Sequence, residues 1–245
     1  MNKTLAPIAP KVLEKLKTVP SATATLILLK KFGIRNCYLR GVKALNPAQG
    51  KICAEAYTLR FIPHREDLSR PEILGDQEYA PRKVIETVPE GSALVIDARG
   101  VTDVGVVGGI FGLRLHQRGC AAVITDGAVR DARELSDGKL PIYCNGTGAP
   151  ASITMHYGAD YQVPIGCGGA AIIPGDYLIG DEDGVIVVPR ACVETVAIEG
   201  AEQERLEGFL TSLVEQGRPT LGTYPPNEET RAEYDAWVAS LETSA

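Results

Sequence analysis

The sequence predicts an α/β fold with helical arms at both ends, and three observations carry that prediction. Residues 92–125 read strand, Gly-rich loop, helix, strand, the pattern of a parallel βαβ unit with a right-handed crossover. After Asp131 the chain breaks into short apolar runs punctuated by Gly and Asp, which marks a β-rich half closing over the βαβ half. The two ends, by contrast, space their apolar residues as helices do.

In chain order, residues 9–18 place Val12, Leu13 and Leu16 on one helical face, and a second helix over 21–31 is capped by Ser21 or Thr23 and stopped at Gly33. Residues 52–62 alternate in part and are rich in β-formers, so a strand is expected there, ended by Pro63. Residues 64–82 are charged and proline-punctuated, a long surface loop or lid whose His64, Arg65, Glu66 and Asp67 could approach a site. The βαβ unit follows, with strands at 92–97 and 120–125 around a helix over about 108–118. Further strands are expected at 141–144, 161–165, 170–174, 177–179 and 185–188, with 180–184 (GDEDG) as a turn. A long polar helix from about 190 to 216 carries Val193, Val196 and Ala197, then Leu206, Phe209, Leu210 and Leu213, on one face. The tail predicts a last helix entered after Pro226 with Asn227 as its cap, whose Tyr234 and Trp237 dock on the body or on a neighbouring subunit. The chain thus divides into a helical arm (1–50), a core (51–190) and a C-terminal helical extension (191–245).

Composition narrows the function. The 245 residues are 44% hydrophobic, enough for one sizeable core. A net charge of −6 with scattered Lys and Arg offers no basic field for a phosphate backbone, which argues against a nucleic-acid partner. Six cysteines lie far apart with no C-x-x-C and read as reduced, buried side chains. Residues 1–7 lack the apolar run of a signal peptide, and nowhere does an apolar run reach the ~18 residues of a membrane span. A soluble cytoplasmic protein with no membrane partner is expected.

The most telling stretch is 123–131 (VITDGAVRD), an apolar strand ending in a tight turn that delivers Arg130 and Asp131 side by side. Arg presents a planar fork that grips a carboxylate with two hydrogen bonds, and Asp is a hard oxygen ligand suited to Mg²⁺ or Mn²⁺. An R-D pair is also what an exposed turn plus a helix N-cap looks like. The βαβ geometry favours a site, because parallel strands bring the helix start at Gly108 and the turn at Arg130 to one rim of the sheet. Gly108 and Gly109 leave backbone N–H groups bare at the positive end of that helix, where an anion can approach closely. A divalent ion held by Asp131 and chelated by the carboxylate and carbonyl of a 2-oxo acid would stabilise the pyruvate enolate that retro-aldol cleavage and decarboxylation share, while Arg130 orients the substrate. No Lys lies near these turns for a Schiff base; Lys139 belongs to a polar turn. His116 and His156 are expected to be structural, as is Cys167, which lacks a His or Asp at motif spacing. Residues 97–109 lack the compact spacing of a nucleotide cradle, which argues against a methyltransferase.

Residues 119–131 (GCAAVITDGAVRD), 141–143 (PIY), 163–169 (VPIGCGG) and 174–189 (PGDYLIGDEDGVIVVP) together resemble the RraA-like family, over roughly residues 20–190. That family includes divalent-metal 4-hydroxy-4-methyl-2-oxoglutarate/4-carboxy-4-hydroxy-2-oxoadipate aldolases that also decarboxylate oxaloacetate. The resemblance implies an RraA-like swivelling β/β/α domain, here with N- and C-terminal helical arms, assembled as a homotrimer or homohexamer. It implies Arg130 as ligand of the pyruvyl carboxylate, Asp131 as direct metal ligand, and the backbone of Gly108, Gly109, Ile110 and Phe111 as substrate cradle. The family's non-catalytic ribonuclease regulators lack the Asp after Arg, and this chain keeps it. Two departures stand out. Where the aldolases read G-[ED]-L-L, with the acid ordering a metal-bound water, this chain has Gly108-Gly109-Ile110-Phe111; where they carry S-D-A-L, it has Leu26-Ile27-Leu28-Leu29. The aldolases also take an acid from a neighbouring subunit, for which Glu194, Glu199 and Glu202 are candidates. The expected function is a metal-dependent lyase of a small 2-oxo acid. A dehydratase of a sugar-derived keto acid and a non-catalytic protein-binding regulator are the alternatives.

Overall fold

A computed structural model describes residues 7–243, and the opening stretch read for a leader lies, up to residue 6, outside them. Two helices come first, α1 (Pro10–Thr18) and α2 (Ser21–Phe32). A two-residue strand β1 (Lys43–Ala44) precedes the long β2 (Ile52–Pro63). Then helices and strands alternate: α3 (Ala80–Thr87), β3 (Ser92–Asp97), α4 (Gly109–Gln117), β4 (Ala122–Thr125), α5 (Ala132–Asp137) and β5 (Ile142–Cys144). Five short strands follow, β6 (His156–Tyr161), β7 (Ile165–Cys167), β8 (Ala170–Ile172), β9 (Tyr177–Asp181) and β10 (Gly184–Val188), and the chain closes on α6 (Val193–Glu215) and α7 (Glu228–Thr243).

The expected βαβ unit is one of three in succession. β2, β3, β4 and β5 run parallel, with Tyr57 opposite Leu94, Leu94 opposite Val123 and Val123 opposite Ile142. α3, α4 and α5 supply the crossovers. β9 and β10 extend the sheet antiparallel beyond β2, β1 closes the far edge on β5, and β6 pairs with the end of β2. Side-chain alternation then makes two cores from one sheet. Leu94, Ile96, Val123 and Ile142 meet Val84 and Ile85 of α3, Leu115 of α4 and Leu135 of α5. Ala93, Val95, Ala122 and Ile124 meet the other layer: Leu16, Ile27 and Leu28 of the first two helices, Val193 and Val196 of α6, and the β7–β8 hairpin. Layers of helix, sheet and β-hairpin plus helix result, the RraA-like α/β arrangement expected from the sequence.

Several expectations need correction. Helix α3 replaces the end of the supposed 64–82 loop: Pro81 stands in the first helical turn, where a missing N–H costs nothing, and Val84 and Ile85 are buried behind it. The strand expected at 161–165 is a turn between β6 and β7, broken by Gln162 at φ 53° and by Pro164. Neither Ser21 nor Thr23 caps α2 with its side chain; the cap comes from another strand. Gly33 does end α2 in the left-handed region, and the Asn227 side chain does accept the Thr230 N–H at the start of α7. Tyr234 and Trp237 pack on Leu206, Phe209 and Leu210 of α6. All six cysteines are free, and no helix among the described residues is long and apolar enough to cross a membrane.

Candidate active site

Loops leave the carboxyl ends of β3, β4 and β5 on one rim and are laced together by their backbones. Val106 N–H donates to Ala128 O and Arg130 N–H to Val107 O, both at 2.9 Å; on the other side Gly148 N–H donates to Val129 O at 2.9 Å. The turn that carries Arg130 and Asp131 is therefore held from both flanks before any side chain contributes. Glycine is required on the facing loop: a Cβ on Gly105 would stand 2.6 Å from the Arg130 backbone N, and one on Gly108 would stand 2.6 Å from Asp131 Oδ2.

Asp131 sits in the left-handed region at φ 55°, a conformation that Asp and Asn tolerate better than most residues. It occupies the N-cap position of α5 but makes no side-chain cap there. Its carboxylate turns back across the rim and accepts the Gly109 N–H at 3.1 Å, with Arg130 Nε 3.5 Å away. So the aspartate caps α4, not its own helix. Arg130 and Asp131 expose 42% and 41% of their side chains, which leaves both open to a ligand. Among the described residues the guanidinium has no other partner than Asp131, which leaves most of its donors unengaged. The backbone N–H groups of Ile110 and Phe111 likewise have no partner among the described residues, as expected for a first helical turn. Ile110 projects 83% exposed, whereas Phe111 is half-buried with the Arg82 guanidinium 5.6 Å from its ring centre. Cation, bare amides and a carboxylate thus converge on one end of α4, an arrangement that can hold and polarise a small anion.

One residue of this rim escaped the sequence reading. Glu134, on the first turn of α5, reaches across to α4, and its Oε2 fills the space where a Gly109 side chain would begin. Glu134 also lines a groove of about 250 Å³ between α4 and α5, together with Ile110, Leu113, His116, Leu135 and Lys139. The signal was present in the spacing R-D-x-x-E, which puts Asp131 and Glu134 three residues apart on one face, but only tertiary structure shows which helix that face meets.

The remaining candidates lie elsewhere or are occupied. Glu199 pairs with Lys31 at 2.7 Å, and Glu202 binds Arg205 and Tyr234; Glu194 shares their helix, α6. In the loop after β2, Arg65 pairs with Asp67, and His64 Nδ1 lies 2.7 Å from Ile153 O. His116 and Lys139 are exposed. Cys167 is fully buried in the core, where burial raises its thiol pKa well above the ordinary value. His156 is fully buried too; burial, with Arg99 beside it, pulls its pKa down to about 4. Arg99 donates to its Nδ1 at 3.1 Å, which leaves the Nε2 side without a partner. Among the described residues no three of His, Cys, Asp and Glu converge on a ready-made metal cage.

Comparison with known proteins places this geometry in context. The model of the RraA-like family, described as Aldolase/RraA, matches residues 10–187. A 4-hydroxy-4-methyl-2-oxoglutarate aldolase from Thermus thermophilus is 32% identical over 110 residues, 44% of this chain and 66% of that protein. Protein DlpA from Legionella pneumophila is 29% identical over 187 residues, 73% of this chain but 29% of its own length. A relative from Halalkalibacterium halodurans, provisionally named for the same aldolase activity, is 38% identical over 122 residues and is matched over 57% of its length. The chain therefore spans less than two thirds of these relatives. Among solved structures, Streptomyces coelicolor RraAS2, described as an unusual member of the RNase ES inhibitor RraA protein family, is 32% identical with a TM-score of 0.73, over 84% of this chain and 98% of that one. An uncharacterised Pseudomonas syringae protein shares the fold at 22% identity and a TM-score of 0.78, over 91% and 97% of the two chains.

Proposed function

The chain belongs to the RraA-like family, and from that premise we propose that it is a divalent-cation-dependent carbon–carbon lyase of small 2-oxo acids, an aldolase or decarboxylase that works through a pyruvate enolate. The observation that carries the reading is the Arg130–Asp131 pair, laced by backbone hydrogen bonds against the bare start of α4. Arg130 offers the substrate carboxylate two parallel hydrogen bonds, and the amides of Ile110 and Phe111 add the positive end of a helix. The donor set suits a hard cation held by one protein carboxylate, since Asp131 spends Oδ2 on Gly109 while its side chain stays 41% exposed, and Mg²⁺ ordinarily retains several waters. When bound there, the ion supplies a Lewis acid for the charge of the enolate. The chain's own task is to fix the carboxylate end of the substrate so that the bond beyond C3 breaks in one orientation. The named aldolase relatives support this reading.

Pyruvate release from a panel of 4-hydroxy-2-oxo acids and from oxaloacetate, measured with Mn²⁺ and with EDTA, tests it. Turnover that EDTA abolishes and Mn²⁺ restores is expected; turnover indifferent to EDTA, or none on any substrate, overturns it. The likeness to RraAS2 favours a second reading, a non-catalytic protein-binding regulator, which the kept Asp131 ranks behind the first. The working assembly we propose is a homotrimer or homohexamer, supported by Ile110 and Leu113, 83% and 60% exposed beside the site, which a second copy would cover. Sedimentation of a plain monomer would refute that assembly.

A further inference from the structure

We propose that Glu134 is the base of this site, the group that takes the C4 hydroxyl proton when a 4-hydroxy-2-oxo acid is cleaved; the inference rests on the lyase reading above. Arg130, Asp131 and Glu134 stand together beside Gly108 and Gly109 at the start of α4, and the first two already have tasks. Arg130 offers donors only and no acceptor atom. Asp131 is engaged with the Gly109 N–H and with Arg130. Glu134 alone has neither a hydrogen bond nor an ion pair among the described residues, although its neighbour Arg133 finds Asp137 one turn on. A carboxylate left without a partner, yet brought against a backbone that only glycine allows it to reach, has its acceptor oxygens free for a ligand. It also faces space a ligand can enter, because it lines the groove between α4 and α5. His116 and Lys139 line the same groove from α4 and from the loop after α5, and they are the other titratable groups that face it.

Retro-aldol cleavage requires such an acceptor. As the C3–C4 bond breaks, its electron pair becomes the C2–C3 double bond of the enolate, the O–H electrons of the C4 hydroxyl become the new carbonyl, and the proton passes to Glu134. Return of that proton to C3 gives pyruvate and restores the carboxylate, so nothing beyond the substrate is consumed. Oxaloacetate decarboxylation breaks the same bond with loss of CO₂ and has no hydroxyl proton to remove. Glu134 should therefore separate two reactions that share Arg130 and Asp131.

The test is Glu134→Gln, which keeps shape and exposure, assayed with Mn²⁺ on 4-hydroxy-4-methyl-2-oxoglutarate and on oxaloacetate. On the hydroxy acid, kcat is expected to fall at least about 100-fold with KM within about threefold, and the ratio of hydroxy-acid to oxaloacetate kcat/KM to fall by a similar factor. A kcat on the hydroxy acid within about threefold of wild type, or a ratio unchanged because both reactions fall together, overturns the assignment. Wild-type protein inactive on both substrates would instead end the lyase reading itself, so the two failures are told apart by the wild-type control.

Discussion

Two helices of this chain, α2 and α4, begin without a side-chain cap of their own, and in both an aspartate from a distant segment fills the place. At α2 the aspartate is Asp181, at the end of β9. It is 5% exposed and accepts from Ser21 N at 2.7 Å, from Ser21 Oγ at 2.8 Å and from Asp183 N at 3.1 Å. At α4 it is Asp131, 41% exposed, with one amide at 3.1 Å and a loose approach from Arg130. The chemistry at the two helix starts is the same, but one is closed and saturated while the other keeps lone pairs and amides for something from outside. Saturation converts a helix terminus into a fastening; leaving it half-filled on an open rim makes it a place to bind.

If that contrast is right, the two aspartates should fail differently, and the largest effect belongs to Asp131→Asn. Asn tolerates the left-handed backbone and can still accept the Gly109 N–H, so stability should stay within about 0.5 kcal/mol while kcat/KM falls by about 1000-fold or more, roughly 4 kcal/mol of transition-state binding. Unchanged turnover at saturating Mn²⁺ would remove Asp131 from the site. Arg130→Lys comes next. Lys keeps the charge but cannot make two parallel hydrogen bonds, so a loss of roughly 30- to 1000-fold in kcat/KM is expected, about 2 to 4 kcal/mol; a variant within about threefold would make Arg130 structural. Asp181→Ala should show the reverse profile. It strips acceptors from Ser21 N, Ser21 Oγ and Asp183 N, a cost of about 2 to 4 kcal/mol in urea unfolding, with kcat/KM of the folded fraction preserved. Equal damage to activity would mean that the two helix starts are coupled.

The smallest effect concerns pH and lies outside both caps, at His156, and it sharpens the comparison by isolating an unrelated stability term. Its folded pKa of about 4 lies below the unfolded value near 6.5, so the folded state resists the proton that the unfolded chain takes up. Its contribution is complete above pH 6.5 and is lost as pH falls toward 4, by about 2 kcal/mol at pH 4.5. His156→Phe should flatten that part of the stability profile; an unaltered slope between pH 6.5 and 4.5 would show that another group carries it.

What the sequence disclosed follows the range of the interactions involved. β3, α4 and β4 were legible because periodicity and glycine punctuation are local, and the rim followed from parallel pairing. α3 was hidden because Pro81 reads as a break in a charged stretch, whereas in a first helical turn it is a start. α5 was hidden by brevity: in six residues only Leu135 is buried, too little for a period to show. Both long-range caps were invisible for a different reason. Caps are sought within a few residues of a helix, and Ser21 and Asp181 are 160 residues apart. Glu134 belongs to the same class, since its position opposite Gly109 depends on how α5 lies on α4. Arg130 and Asp131 could be read as a pair because adjacency in the chain already guaranteed adjacency in space.

The pairing of the first helices with the last long one carries a consequence for how the protein is made. Thr23 of α2 binds Glu204 of α6, 181 residues later, and Gly200 of α6 admits Val19, whose methyls would stand 2.6 Å from any Cβ there. At about 5–20 residues per second, a ribosome delivers α6 on the order of 10–40 s after α2. For that interval Leu16, Ile27 and Leu28, all buried in the finished core, lack the part of their cover that α6 supplies. A chain stalled before residue 193 would leave the α6-facing side of that apolar surface exposed even with the whole rim around Arg130 already synthesised.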